Sequence, residues 1–289
     1  MSLDSLALQL LTGLQQGAIY ILVALGLTLI FGTLGVVNFA HGALYMIGAY
    51  LAFSLADAIG HWAAFGVAFV ALFAFGVVME RGLIQFFYKR PVTDQILVTF
   101  GLALVVQEIA RMIYGGTTIP YKPPIWALIP VDIGIGMYPP WRLIIVAITA
   151  VIVLLVFLLM RYTRFGLVVR AGMRDAEMPQ LLGINITIRF MLVFGFGAAL
   201  AGLGGAISGM VPGVTPELGM HILVPSFLVV VIGGMGSLVG AILAGLILGV
   251  AQTVAVLFYP PISQVIIYAV AAVVLLWRPQ GLLGMKGVD

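Results

Sequence analysis

Leu143 to Met160 reads LIIVAITAVIVLLVFLLM, a run without a charge, a proline or a glycine. A helix needs about 20 apolar residues to cross the roughly 30 Å hydrocarbon core of a bilayer. In lipid, backbone polar groups must be paired within the protein, and a helix pairs them within itself. This stretch therefore predicts a transmembrane helix.

The rest of the chain has a similar composition. Of 289 residues, 63% are hydrophobic and 8% are charged, whereas soluble domains are about 45–50% apolar and about 25% charged. We predict an all-α fold, a polytopic membrane helical bundle with about eight or nine transmembrane segments in a single domain, residues 1–289. The apolar segments are 7–31, 36–56, 62–79, 95–114, 142–160, 190–211, 222–235, 237–258 and 262–277.

Two features leave the number of crossings open. The break at Phe31 to Gly35 could be a kink or a half-helix. The region around Gly233 to Ser237 could join two spans, or one span and a re-entrant piece. With nine crossings the N-terminus is external, and with eight it is cytoplasmic.

The basic residues predict the orientation, because Lys and Arg are retained on the cytoplasmic side of short loops. They cluster at 81–90, at 161–189 and in the tail at 278–286. The proline-rich connection 115–141 is poor in them, so we expect it to be external. The pI is about 9.3, but the basic residues are concentrated in loops and do not form an extended basic face. Nucleic-acid binding is therefore not expected.

The distribution of acidic residues argues against one possible function, an ion-coupled secondary carrier. Such carriers usually place acids at mid-membrane, and here the acids lie in or beside loops, with Glu108 three residues from Arg111 at helical pairing distance. Gly233 to Ser237 lacks the lysine of a phosphate-binding loop. The three histidines are far apart in the sequence and cysteine is absent. We therefore expect no enzyme activity, metal or cofactor.

Glycines are spaced as G-x-x-x-G in the C-terminal half, a pattern that lets membrane helices approach closely. The alternative is that some matches arise by chance, since glycine is common in membrane helices. The pairs are Gly205 with Gly209, Gly236 with Gly240, and Gly245 with Gly249.

The segment 161–189 carries five arginines against Asp175 and Glu177. Asp175 can cap a short helix that ends at Gly183. Such an amphipathic helix suits either the groove of a motor domain or the lipid headgroup layer. Its apolar face would comprise Met178, Leu181 and Leu182.

Asn38 and His41 open the second predicted span, three residues apart on one helical face. Their polar atoms would be costly to expose to lipid. They could line the path and contact the solute, or act as a gate. Alternatively, they cap the helix start and hydrogen-bond to the broken backbone at Gly32 to Gly35.

Four motifs in one order resemble the branched-chain amino acid (Liv-type) ABC transporter permeases, in particular the shorter permease subunit. They cover essentially the whole chain. The motifs are Val37-Asn38-Phe39-Ala40-His41-Gly42 followed by Tyr45 to Tyr50, Arg170-Ala171 to Leu182-Gly183-Ile184-Asn185, Gly233 to Ala241, and Arg278-Pro279-Gln280-Gly281-Leu282.

The resemblance implies a non-enzymatic subunit of an ATP-driven importer in the bacterial cytoplasmic (inner) membrane. Its expected partners are a second, related permease, two cytoplasmic ABC ATPases and an external solute-binding protein. The solute would be a branched-chain amino acid or a similar small polar molecule, although relatives handle urea, amides or carboxylic acids. Whether the two permeases are identical stays open.

The resemblance also identifies the segment from Arg174 to Asn185 as the coupling helix that sits on the ATPase. The residues expected in that contact are Arg174, Asp175, Glu177, Met178, Leu181, Leu182, Gly183, Ile184 and Asn185.

Overall fold

The computed structural model describes residues 3–174 and 185–284, and within these ranges it contains ten α-helices. Eight helical segments are long and apolar enough to cross a membrane, which confirms the predicted all-α membrane bundle. The helices are α1 (Leu3–Leu34), α2 (His41–Ile59), α3 (His61–Gly82), α4 (Val92–Tyr114), α5 (Pro140–Tyr162), α6 (Arg164–Arg174), α7 (Ile186–Ser208), α8 (Leu218–Gly233), α9 (Leu238–Phe258) and α10 (Ser263–Trp277).

Helices α1 and α7 form the centre of the bundle. Helix α1 packs along α9, α7 and α5, and α7 packs on α1, α2 and α3. Phe194 of α7 and Leu25 and Ile30 of α1 are among the largest fully buried side chains. In contrast, α4, α5 and α10 leave many apolar side chains exposed. Because the surrounding solvent is lipid, these outer helices are suited to face it.

The two ends of the bundle differ in charge. The basic end carries the connections 83–91 and 234–237, helix α6 and the tail from Arg278; the far end carries Gly60, 115–139, 209–217 and 259–262. Contacts within each end support this grouping, since Leu282 N donates to Ile232 O at 2.7 Å and Ile119 pairs with Val214. Because basic residues are retained on the cytoplasmic side, the basic end is expected to be cytoplasmic, and this orientation stays a prediction.

Helix α8 has 16 residues, fewer than the about 20 that a full crossing requires. It begins beside Gly42 at the start of α2, because a Cβ at Gly219 would lie 2.5 Å from Gly42 O. It ends at the basic end in a turn that leads to α9. The region around Gly233 to Ser237 therefore joins a short helix to a full span.

The glycines on α7 and α9 lie where helix backbones touch. A Cβ at Gly17 of α1 would lie 2.8 Å from Gly245 O, and a Cβ at Gly249 would meet the backbone of Gly17. A Cβ at Gly205 would overlap the carbonyl oxygen of Tyr45. Gly209, which caps α7, has Ala49 as its neighbour across the helix pair.

The pair Gly236 and Gly240 does not form a ridge on one helix. Gly236 precedes α9 and has φ +84°, a left-handed conformation that glycine adopts without strain. Gly240 lies inside α9 and packs against the backbone of Gly233. Spacing alone could not distinguish a turn glycine from a packing glycine.

Candidate functional site

Helices α1 and α2 are separated by the non-helical segment 35–40, which turns back into the bundle. Gly35 ends α1 with φ +66°. Val37 N donates to Gln95 Oε1 at 3.3 Å and Phe39 N donates to Thr99 Oγ1 at 3.0 Å, so side chains of α4 satisfy this non-helical backbone. Non-helical chain at membrane depth requires such partners.

The start of α2 lies deep along α1. The His41 Nε2 group donates to Val23 O at 3.2 Å, and Val23 lies eleven residues before the end of α1. At about 1.5 Å per residue this is about 16 Å along the helix axis. The segment predicted as helix from residue 36 is thus a broken span whose helical part begins at His41.

Asn38 and His41 do not share a helical face, which corrects that expectation. Asn38 precedes the helix, and its Oδ1 accepts from Ala40 N at 3.1 Å. Both side chains are buried, and Asn38 Nδ2 and His41 Nδ1 have no hydrogen-bond partner in the described ranges. The bonds that do form go to the backbone at Ala40 and Val23 and not to Gly32 to Gly35, and no side chain caps the start of α2. The role of Asn38 and His41 as a path or gate stays a prediction.

A cavity of about 380 Å³ opens at the far end beside these breaks. Its walls come from α1, α2, the end of α7, the connection 209–217 and the start of α8. The volume falls within the about 300–1,000 Å³ typical of small-molecule sites. Lining residues with polar side chains are Gln15, Gln16, Tyr20, Tyr45, Ser208, Thr215 and His221.

The cavity wall combines polar and apolar side chains, and no aspartate, glutamate, lysine or arginine is among its lining residues in the described ranges. Tyr45 Oη lies 2.5 Å from Ser208 Oγ, which joins α2 to α7, and Tyr20 Oη donates to Gln252 Oε1 at 2.5 Å. Gln15 is buried, yet its Nε2 has no hydrogen-bond partner within residues 3–174 and 185–284. The hydrogen-bonding capacity of this buried amide beside the cavity is therefore unused in the described part of the chain.

An ion pair links the end of α4 to the connection 209–217 on the outer side of the same region. Arg111 at the end of α4 contacts Glu108 at 2.5 Å, the predicted pair, and Glu217 at 2.6 Å. Glu217 directly precedes α8. The hydrogen bond from Arg111 holds the pKa of Glu217 below its ordinary value. A second link to this connection is the backbone pairing of Ile119 with Val214, 2.9 Å in both directions.

The predicted coupling segment is described only at its two edges. Arg174 is the last residue of α6, and Asn185 caps α7 by accepting from Ile188 N at 3.2 Å. Asn185 is therefore followed directly by the buried central helix α7. The remaining expected contact residues lie outside the described residues; they are Asp175, Glu177, Met178, Leu181, Leu182, Gly183 and Ile184.

Residues 9–275 match the family model described as branched-chain amino acid transport system / permease component. The chain belongs to this permease family. It is 31% identical to the high-affinity branched-chain amino acid transport system permease protein BraD of Pseudomonas aeruginosa, over 97% of this chain and 96% of BraD. The same identity and coverage relate it to the permease protein LivH of Escherichia coli.

A second type of permease is also similar. The chain is 28% identical to the high-affinity branched-chain amino acid transport system permease protein LivM of Salmonella typhimurium, over 92% of this chain but 68% of LivM. This permease thus matches BraD and LivH in length better than it matches LivM. No solved structure matches the chain.

Several residues of the permease's cavity were missed by sequence reasoning. Gln15, Tyr45 and Ser208 come from three helices that are distant in the sequence, and each looks like an ordinary polar residue in an apolar span. Uncharged polar residues near the far ends of α1 and α7 were the only available signal. Their convergence depends on helix packing, which hydropathy does not reveal.

Proposed function

We propose that this chain is a transmembrane permease subunit of an ATP-driven ABC importer that moves branched-chain amino acids, or a similar small polar solute, into the cytoplasm. The far-end cavity carries this proposal. It lies beside two helices that begin inside the bundle, α2 and α8. Non-helical chain at membrane depth is tolerated where it is buried in protein or lines a cavity, and broken helices of this kind often form solute sites in transporters.

The chemistry of the cavity suits a small, weakly held amino acid. Ile19, Leu218 and Ile222 supply apolar contacts, while the amide of Gln15 and the paired hydroxyls of Tyr45 and Ser208 supply hydrogen bonds. An importer that receives its solute from a binding protein needs only weak contacts along the path. Permeation requires that the solute leave as easily as it enters.

We propose that the energy comes from two cytoplasmic ABC ATPases through the segment from Arg174 to Asn185. Displacement of this segment would act directly on α7 through the cap at Asn185. Because α7 packs on α1, α2 and α3, a shift of α7 would reach the walls of the cavity. The position of the segment directly before α7 supports this route. Evidence for coupling would be two distinct arrangements of α7, with and without ATP.

The proposed assembly contains a second, related permease and an external solute-binding protein, in the bacterial cytoplasmic membrane. The names of BraD, LivH and LivM as branched-chain amino acid permeases support both the solute class and the related partner. A permease for urea, amides or carboxylic acids is the alternative within the family.

An ion-coupled carrier is the other alternative, and the position of the buried acid disfavours it. Glu80 is fully buried, but it lies in the last turn of α3 at the basic end, where the Tyr88 hydroxyl donates to its Oε1. A coupling acid is usually found near mid-membrane.

The test is uptake by the reconstituted importer with the cavity changed. We expect Gln15→Leu to reduce solute uptake several-fold while assembly and basal ATP hydrolysis are retained, since it removes an unpaired buried amide. Gln264→Leu on α10, outside the cavity lining, is the matched control. Equal uptake by both variants would place the solute path elsewhere.

A further inference from the structure

A second cavity, of about 220 Å³, lies at the basic end between α1, α5, α6 and the start of α9. It is on the opposite side of the bundle from the solute cavity. Its walls combine two arginines with an otherwise mostly apolar lining, and no part of the proposed transport path uses it.

Arg161 and Arg170 supply the positive charge of this cavity. Arg161 lies in the last turn of α5 with its guanidinium 6.0 Å from the ring centroid of Phe157, and Arg170 Nη2 donates to Arg161 O at 3.5 Å. Neither arginine contacts a carboxylate within residues 3–174 and 185–284, where both ion pairs belong to Arg111. The two guanidinium groups therefore lack a counter-charge in the described part of the chain.

The first turn of α9 forms another wall. Ser237 caps the helix by accepting from Gly240 N at 3.0 Å. The N–H groups of Leu238 and Val239 come earlier in the turn and have no acceptor within the helix. Together with the helix dipole, such N–H groups favour an anion.

Thr28 of α1 is the independent observation that points to a ligand. It lines the cavity, it is 1% exposed, and its Oγ1 has no hydrogen-bond partner in the described ranges. A threonine within a helix usually donates back to a carbonyl one turn earlier. A buried hydroxyl without a partner is costly unless something else binds it.

From these features we propose that the cavity between Thr28, Arg161, Arg170 and the start of α9 binds a phosphate group, carried by an anionic phospholipid of the cytoplasmic leaflet or by a soluble phosphate. Planar guanidinium groups and helix N-termini are both suited to phosphate oxygens. The hydroxyl of Thr28 adds a donor.

The surroundings favour the lipid source. The cavity is too small for a whole lipid, but it adjoins apolar side chains that are exposed on the outside of the bundle. Phe157 and Leu158 on α5 are 39% and 40% exposed, and Val239 and Leu243 on α9 are 48% and 43% exposed. Acyl chains can lie on this surface while the headgroup enters the cavity. Basic pockets between membrane helices on the cytoplasmic side commonly hold such headgroups.

The experiment measures lipid retention by the purified full-length chain in mixed micelles that contain phosphatidylglycerol or phosphatidylcholine, with native mass spectrometry as the readout. We expect preferential retention of phosphatidylglycerol, weakened about fivefold for each arginine removed in Arg161→Gln/Arg170→Gln. The control Arg90→Gln/Arg164→Gln removes the same charge from the same end and should retain the lipid. Equal retention by the two double variants would overturn the proposal.

Thr28→Val keeps the proposal testable if the arginine variant does not fold. This substitution should weaken phosphatidylglycerol retention, yet raise the thermal midpoint in phosphatidylcholine micelles, because it removes an unpaired hydroxyl. A third arm adds inorganic phosphate to phosphatidylcholine micelles. Stabilisation by phosphate that depends on Arg161 and Arg170, without lipid preference, would assign a soluble phosphate to the site. Unchanged retention and unchanged midpoint in Thr28→Val would argue against any ligand there.

Discussion

Replacement of Gly205 by alanine should separate α2 from α7 and disturb the solute cavity. The added carbon would overlap the carbonyl oxygen of Tyr45 and lie 3.2 Å from Ala49 N, so it would meet backbone that cannot rotate away. Overpacking typically costs about 1–3 kcal/mol. Because Tyr45 also bonds to Ser208 in the cavity wall, the shift should reduce uptake as well.

The neighbouring Gly204 provides the matched control. A Cβ at Gly204 would lie 3.4 Å from Val23 Cγ2, an ordinary van der Waals distance. Gly204→Ala should therefore be neutral or stabilising by up to about 1 kcal/mol, since alanine favours the helix over glycine. The two variants are heated in the same detergent, and the fraction that stays folded is measured by size-exclusion chromatography with fluorescence detection. Equal midpoints for both variants would refute the close backbone contact.

Three further predictions concern the ion pair, the coupling segment and the broken helix. Because the pKa of Glu217 is lowered, its pair with Arg111 stabilises the protein above the ordinary carboxyl pKa, and this stabilisation is lost as pH falls through the lowered value. Hydrogen-exchange protection of the 209–217 connection should therefore fall in acid, and Glu217→Gln should abolish this pH dependence. A pH dependence that persists in the variant would assign it to another group. Charge reversal of Asp175 and Glu177 should uncouple ATP hydrolysis from uptake while solute capture by the binding protein is retained, and normal uptake would place the ATPase contact elsewhere. His41→Ala should lower the free energy of unfolding by on the order of 2–5 kcal/mol, as large-to-small changes in packed cores do, and so reduce the yield of folded protein. Normal folding with lost uptake would favour the path role instead.

Hydropathy was sufficient to predict the long spans because its signal is local. The stretch from Leu143 to Met160 lies in α5, which extends only a few residues beyond it. The interruption before α2 could not be predicted in the same way. Residues 36–40 are as compatible with a helix as with an extended chain, and the partners that satisfy them, Gln95 and Thr99, lie some sixty positions away in the sequence.

The candidate site shows the same limit. The Asn38 and His41 motif indicated the family, but the break lies at residues 35–40, after residues 31–34, which are helical. The polar cavity depends on Gln15, Tyr45 and Ser208, whose meeting is a consequence of packing. The glycine spacing marked real backbone contacts at Gly205 and elsewhere on α7 and α9. It also marked the turn at Gly236, since G-x-x-x-G does not encode where a helix begins.

The proposed supply of energy by separate ATPases can be measured in proteoliposomes that contain the chain with its second permease and ATPase subunits. The binding protein loaded with radiolabelled leucine is added on one side, and ATP is enclosed on the other. We expect leucine accumulation that requires ATP and is insensitive to collapse of proton and sodium gradients. Accumulation by this chain alone, driven by an ion gradient without ATP, would contradict it.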